Sequence, residues 1–160
     1  MHTMNYVLKL HQKFSKYPFG DRLFSWAVAK KAPYFLSIKP KIDEIRTNYI
    51  KVSMPKRRAV HNHLKTVYAI AMCNLCEFAG GICMEASIPK HRRWIPVGME
   101  VKYLRKAKTN LTAVCDLGEP DWDRIDHQMC DVKVKDSSGE IVMTAMIEMK
   151  VSDKKNKSKA

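Results

Sequence analysis

The stretch NHLKTVYAIAMCNLCEFAGGICME, residues 62–85, decides how the rest of the chain is read. From Leu64 to Met84 apolar residues fall on nearly every side of a helical wheel. That is the pattern of a helix wrapped by other structure, not of one lying on a surface. At 100° per residue, Cys73, Glu77, Gly80 and Met84 come within about 40° of Thr66, with Ile70 and Asn74 beside them. One carboxylate and one amide therefore share a face of an otherwise apolar rod. A buried carboxylate is costly unless it is hydrogen-bonded, and its pKa then rises toward neutrality, where a general base is useful. Glu77 is the leading candidate for chemistry on that ground. The same pattern also fits a Glu77 that faces solvent while Asn74 makes a local hydrogen bond. A membrane span is rejected, because Asn74, Glu77 and the Gly80-Gly81 pair interrupt the run before the roughly 20 apolar residues a bilayer requires.

Around this helix stand 160 residues, the size of one domain, with an apolar fraction of 46% that supports a packed core. The formal charge of +13 predicts attraction to something anionic: nucleic acid, anionic lipid or a phosphate-bearing cofactor such as coenzyme A. Part of that charge lies in residues 153–160, read as a disordered basic tail. The rest is split among Lys56 to Arg58, Lys90 to Arg93 and Lys102 to Lys108, an arrangement that suits phosphates at pocket rims. Cys73, Cys76 and Cys83 are read as small core hydrophobes; with no matching His or Cys pair downstream, no metal site is expected. Reduced thiols and the lack of a signal-peptide pattern make a cytoplasmic protein the expectation.

Taken in order, Met4 to Tyr17 and Phe19 to Lys31 carry apolar residues at helical spacing and end at Pro18 and before Pro33. They are expected to be two N-terminal helices acting as a lid or packing element, with residues 1–35 forming an extension and 36–152 the main domain. Glu44 to Met54 reads as one strand, followed by a basic loop from Pro55 to His63. After the long helix, which is expected to end between Gly80 and Met84, four strands alternate apolar and polar residues: Trp94 to Lys106, Asn110 to Leu117, His127 to Lys135 and Glu140 to Val151. Phosphate-loop, dinucleotide, zinc-protease and nucleophile-elbow motifs are all missing.

A strand, one long buried helix and a meander of antiparallel strands resembles the hotdog fold, an α+β architecture in which an antiparallel sheet wraps round one central helix. The run Tyr68-Ala69-Ile70-Ala71-Met72-Cys73-Asn74-Leu75-Cys76-Glu77 resembles the hotdog thioesterase signature, His-Gly-Gly followed nine residues after the His by Glu or Asp. Pro96 to Ala107 resembles the strand that ends beside the coenzyme A site in the same superfamily. With Ala32 to Phe35 and Arg58 to Thr66, the likeness reaches from about residue 30 to 151. It is similar to a poorly characterised, phenylacetyl-CoA thioesterase-like branch of the acyl-CoA thioesterases.

The resemblance implies that Glu77 activates water or attacks the thioester, and that the backbone N–H of Ala69 holds the carbonyl oxygen at a helix start. It places Tyr68 beside that oxygen, and Asn62 and His63 at the entry; Asn74 reads either as a helix-face hydrogen bond or as a substrate contact. Arg92, Arg93, Arg105, Lys106 and Lys108 would meet the phosphates of coenzyme A. No cofactor is implied beyond the coenzyme A of the substrate. The assembly implied is a homodimer or a dimer of dimers, since the helix start and the carboxylate come from different subunits in the family. Three positions depart from the pattern: Tyr68 replaces the His, Ala69 the first Gly, and Lys65 stands where a small residue is easier to place.

The expected function is hydrolysis of a medium- or long-chain acyl-CoA, with Met72, Met84, Met99, Met129, Met143, Met146 and Met149 either walling the acyl chain or simply filling the core. The alternative is a non-catalytic acyl-CoA or lipid-binding protein of the same fold. Nucleic-acid binding rests on charge alone and finds no reader motif.

Overall fold

The computed structural model describes residues 5–154. The beginning of the first expected helix at Met4 and the basic tail beyond Lys154 lie outside the described residues. Six strands form one antiparallel sheet in the order β1-β2-β4-β5-β6-β3. They are β1 (Lys41–Arg46), β2 (Tyr49–Met54), β3 (Arg92–Tyr103), β4 (Leu111–Asp116), β5 (His127–Lys135) and β6 (Ile141–Asp153). The helices are α1 (Tyr6–Phe14), α2 (Gly20–Lys31) and α3 (Ala69–Ser87), with a 3-10 segment at Pro33–Ile38.

The concave face of the sheet is built by strict alternation. Ile50, Val52 and Met54 of β2, Leu111, Ala113 and Cys115 of β4, and Cys130, Val132 and Val134 of β5 are all fully buried. The β6 residues Met143, Ala145, Ile147, Met149 and Val151 complete that face. They close on α3, whose Met72, Leu75, Cys76, Phe78, Cys83 and Met84 are buried in turn. Although α3 is apolar enough by length and composition to cross a bilayer, this apolar surface is spent on the sheet.

Gly80 and Gly81 do not end the helix as expected; they let the sheet approach it. A Cβ on Gly80 would sit 3.1 Å from Ile147 Cδ1, and one on Gly81 would sit 3.1 Å from the Trp94 ring. The helix therefore continues to Ser87.

Two further boundaries differ from the sequence reading. The single strand expected from Glu44 to Met54 is a hairpin of β1 and β2, because Asn48 takes a φ of 63° and turns the chain between them. The long helix begins at Ala69 and not near Leu64, because Asn62 to Thr66 closes a tight turn. Asn62 Oδ1 accepts from the backbone N–H groups of Leu64 and Thr66 at 3.0 and 3.1 Å, and Lys65 takes a φ of 59°.

The N-terminal helices dock as one unit. Phe24 of α2 is fully buried, packs near Phe14 of α1 with ring centroids 6.0 Å apart, and anchors the pair. The buried Ser25 hydroxyl accepts from the Ile42 N–H at 2.8 Å, fixing α2 on β1 at one edge of the sheet. Asn5, the N-cap of α1, donates to the Glu85 carbonyl at the far end of α3. Among the described residues four non-glycine residues have positive φ: Phe19, Lys39, Asn48 and Lys65. Each sits where one element hands over to the next.

Candidate active site

The start of α3 opens into a groove of about 350 Å³ lined by Asn62, Ala69, Tyr103, Leu104, Arg105 and Lys106 among others. Its construction follows from two backbone bonds. The Val67 N–H donates to the Ala107 carbonyl and the Tyr68 N–H to the Val60 carbonyl, both at 2.8 Å. The first of these ties the basic segment after β3 to the residue before the N-cap. Tyr68 is the N-cap and offers no side-chain acceptor to the first turn. The leading amides of α3 and the positive end of its dipole therefore face the groove.

This groove unites Asn62, Ala69, Arg105 and Lys106 of the sequence-derived site. Asn62 is occupied by the turn it closes, its amide also donating to Thr66 Oγ1 at 2.8 Å. Arg105 pairs with Glu140 at 3.3 Å on an exposed surface. Tyr68, His63 and Lys108 are exposed nearby in the chain.

Other expected members are elsewhere. Arg92 and Arg93 lie at the opposite end of β3, eleven residues and roughly 36 Å of extended strand before Tyr103. Arg92 is buried and bonded to Asp153 and to the Ile125 carbonyl, so it braces the sheet end and is not available for phosphate. Arg93 donates to Ser152 Oγ at 3.0 Å. Asn74 is buried on another side of the helix, where its amide donates to Ser37 Oγ and the Tyr34 carbonyl and fastens α3 to the 3-10 segment.

Glu77 corrects the expectation of a buried carboxylate. In the single chain it is exposed, on an open flank of α3 with Ile70 and the half-buried Cys73. This corresponds to the solvent-facing arrangement that the wheel left open. What the wheel could not give is the opposite wall. The residues of β3 paired with the buried positions of β6, namely Met99 with Ile147, Val101 with Ala145 and Tyr103 with Met143, face the same side of the sheet as α3. Tyr103 Oη lies 3.2 Å from Cys73 Sγ. That hydrogen bond, with a smaller contribution from burial, pushes the phenol up to about 12. Burial pushes the Cys76 thiol far above its ordinary range, consistent with packing and not reactivity. Of the methionines, Met72, Met84, Met143 and Met149 fill the core, whereas Met99, Met129 and Met146 are exposed.

An antiparallel sheet wrapped round one long helix, with a groove at the helix start, defines a hotdog-fold protein, and solved structures agree. A thioesterase from Haemophilus influenzae superposes with a TM-score of 0.68 at 10% identity, covering 79% of this chain and 87% of its own. A thioesterase family protein from Silicibacter pomeroyi gives 0.70 at 13% identity, covering 86% and 100%. A structural-genomics crystal structure is nearer, with a TM-score of 0.82 at 39% identity over 93% of this chain and 99% of that one. The domain of unknown function DUF4442 matches residues 20–151, and the chain belongs to that family. None of the curated proteins matches.

Proposed function

We propose that this chain is a thioesterase that hydrolyses medium- or long-chain acyl-CoA, working as a homodimer. The observation that carries the reading is the pairing of uncapped helix-start amides at Ala69 with a free carboxylate at Glu77 on a fold shared with named thioesterases. Glu77 takes a proton from water as the water oxygen bonds to the thioester carbonyl carbon. The Ala69 N–H and the α3 dipole stabilise the oxyanion. The carbon–sulfur bond then breaks, and the proton passes to the departing thiolate. Tyr68 can donate a hydrogen bond beside the oxyanion, and Arg105, Lys106 and Lys108 supply cations for the coenzyme A phosphates.

The two halves of this machinery cannot meet within one chain. Eight residues separate Ala69 from Glu77, which is about 12 Å along the helix and about 80° around it. One carbonyl cannot touch both. A second copy brought against the open β3 edge would set its helix start near Glu77. That edge is twelve residues long and exposes Ile95, Val97 and Tyr103, surface that favours pairing.

The substitution of Tyr68 and Ala69 for the family His-Gly supports a second reading, acyl-CoA binding without turnover. Incubation with acyl-CoAs of graded chain length, following free thiol, separates the two. Glu77→Gln should lose at least about a hundredfold in rate while remaining folded, the scale of a lost general base. Full activity in that variant would sink the mechanism, and saturable binding with no thiol release would favour the binding protein.

A further inference from the structure

A cleft larger than the groove at the start of α3 lies elsewhere in the described residues. It has a volume of about 600 Å³ and lies between α2, the 3-10 segment and the ends of β1 and β2. This is the β1 edge, at the opposite side of the sheet from β3 and Tyr103. Its walls are apolar: Trp26 and Ala29 from α2, Leu36, Pro40 and Met54. Arg22 and Lys39 also line it, and neither makes an ion pair among the described residues. Lys41 is neutralised by Asp43 at 2.8 Å, and no Asp or Glu lines the cleft itself.

An apolar slot of this size suits a small molecule. Cations without partners at an apolar wall call for an anion, and the apolar lining calls for an aliphatic body attached to it. Arg22 and Trp26 are one turn apart on α2, so a head group at the first leaves the tail on the second. We infer that this cleft binds a single-chain aliphatic carboxylate, its head group between Arg22 and Lys39 and its chain against Trp26 and Leu36.

A thioesterase releases molecules of this chemical class, but the inference does not rest on that activity, because the cleft shares no residue with the groove at Ala69. The test uses the full chain carrying Glu77→Gln, with dodecanoate as the probe, kept below its micelle-forming concentration. Calorimetry reads affinity, and the amide and indole resonances read location. The expected result is saturable binding at one site per chain, with the largest shift at the Trp26 indole. Arg22→Glu with Lys39→Glu should weaken it by about tenfold or more, as should Trp26→Ala, each with an unchanged circular dichroism spectrum. Dodecanol, which lacks the charge, should bind at least about tenfold more weakly. Shifts centred on Tyr103 and Ala69 would place the acid in the groove of α3 and overturn the proposal. So would unsaturable uptake, or binding indifferent to the charge reversal. None of these outcomes bears on whether Glu77 supports thiol release, so the two readings fail separately.

Discussion

The phenol of Tyr103 and the thiol of Cys73 make a polar contact between β3 and the open flank of α3. Its signature is a titration. Because the hydrogen bond to Cys73, and to a lesser degree burial, raises the folded pKa to about 12, the neutral phenol is favoured by folding. The corresponding stability is fully present below the ordinary phenol value of about 10 and is lost as pH rises through about 12. A difference titration of phenolate absorbance between the parent and Tyr103→Phe should locate that late step. In Cys73→Ala it should move back toward about 10, and an unmoved step would mean the thiol is not its cause. The contact was not legible in the sequence, where Cys73 and Tyr103 appeared only as a wheel position and a strand position. Which strand lies beside a helix flank depends on sheet order, and β3 crosses to pair with β6.

At the scale of the element, α3 carries the fold, and its middle is built for close approach. Gly81 accepts the edge of the Trp94 ring, whose Nε1 donates to Glu85 at 3.1 Å. Gly81→Ala gains helix propensity of up to about 1 kcal/mol but forces a rigid ring aside, at a cost of about 1–3 kcal/mol. The expected outcome is a net loss of about 1 kcal/mol, seen as a lower melting temperature, together with a changed tryptophan emission. A melting temperature raised by the substitution would show that the ring can give way. The helix itself was plain from its all-round apolar pattern, and so were the alternating faces of β5 and β6. Its start was not plain from periodicity, which runs on to Leu64; only the resemblance asked for a start nearer Tyr68 and marked Lys65, now at positive φ, as hard to place before the helix. The β1–β2 hairpin was hidden by Asn48. The burial of Asn74 was likewise hidden, since it depends on the 3-10 segment, whose six residues carry no periodic signal.

For the molecule as a whole, the open β3 edge is what a lone chain leaves unfinished. A lysine on an edge strand opposes pairing, so under the proposed homodimer Val97→Lys should favour single chains in sedimentation velocity. It should also abolish thiol release while the circular dichroism spectrum stays native. Release that persists in a verified single chain would show that one copy is sufficient. The proposed homodimer was implied by the resemblance alone and could not be read from spacing. Helical geometry does show that Glu77 and Ala69 are too far apart to share one carbonyl, and that inference needed only the observed position of the helix start.

The four handover residues with positive φ, Phe19, Lys39, Asn48 and Lys65, have a consequence for engineering. Every one except Asn48 bears a side chain poorly suited to that backbone region, in a chain that contains only 6 glycines. Such a protein holds unused headroom. Glycine or asparagine at those junctions would relieve strain without touching the core, and the resulting gain in heat tolerance would be available before any contact inside the sheet is redesigned.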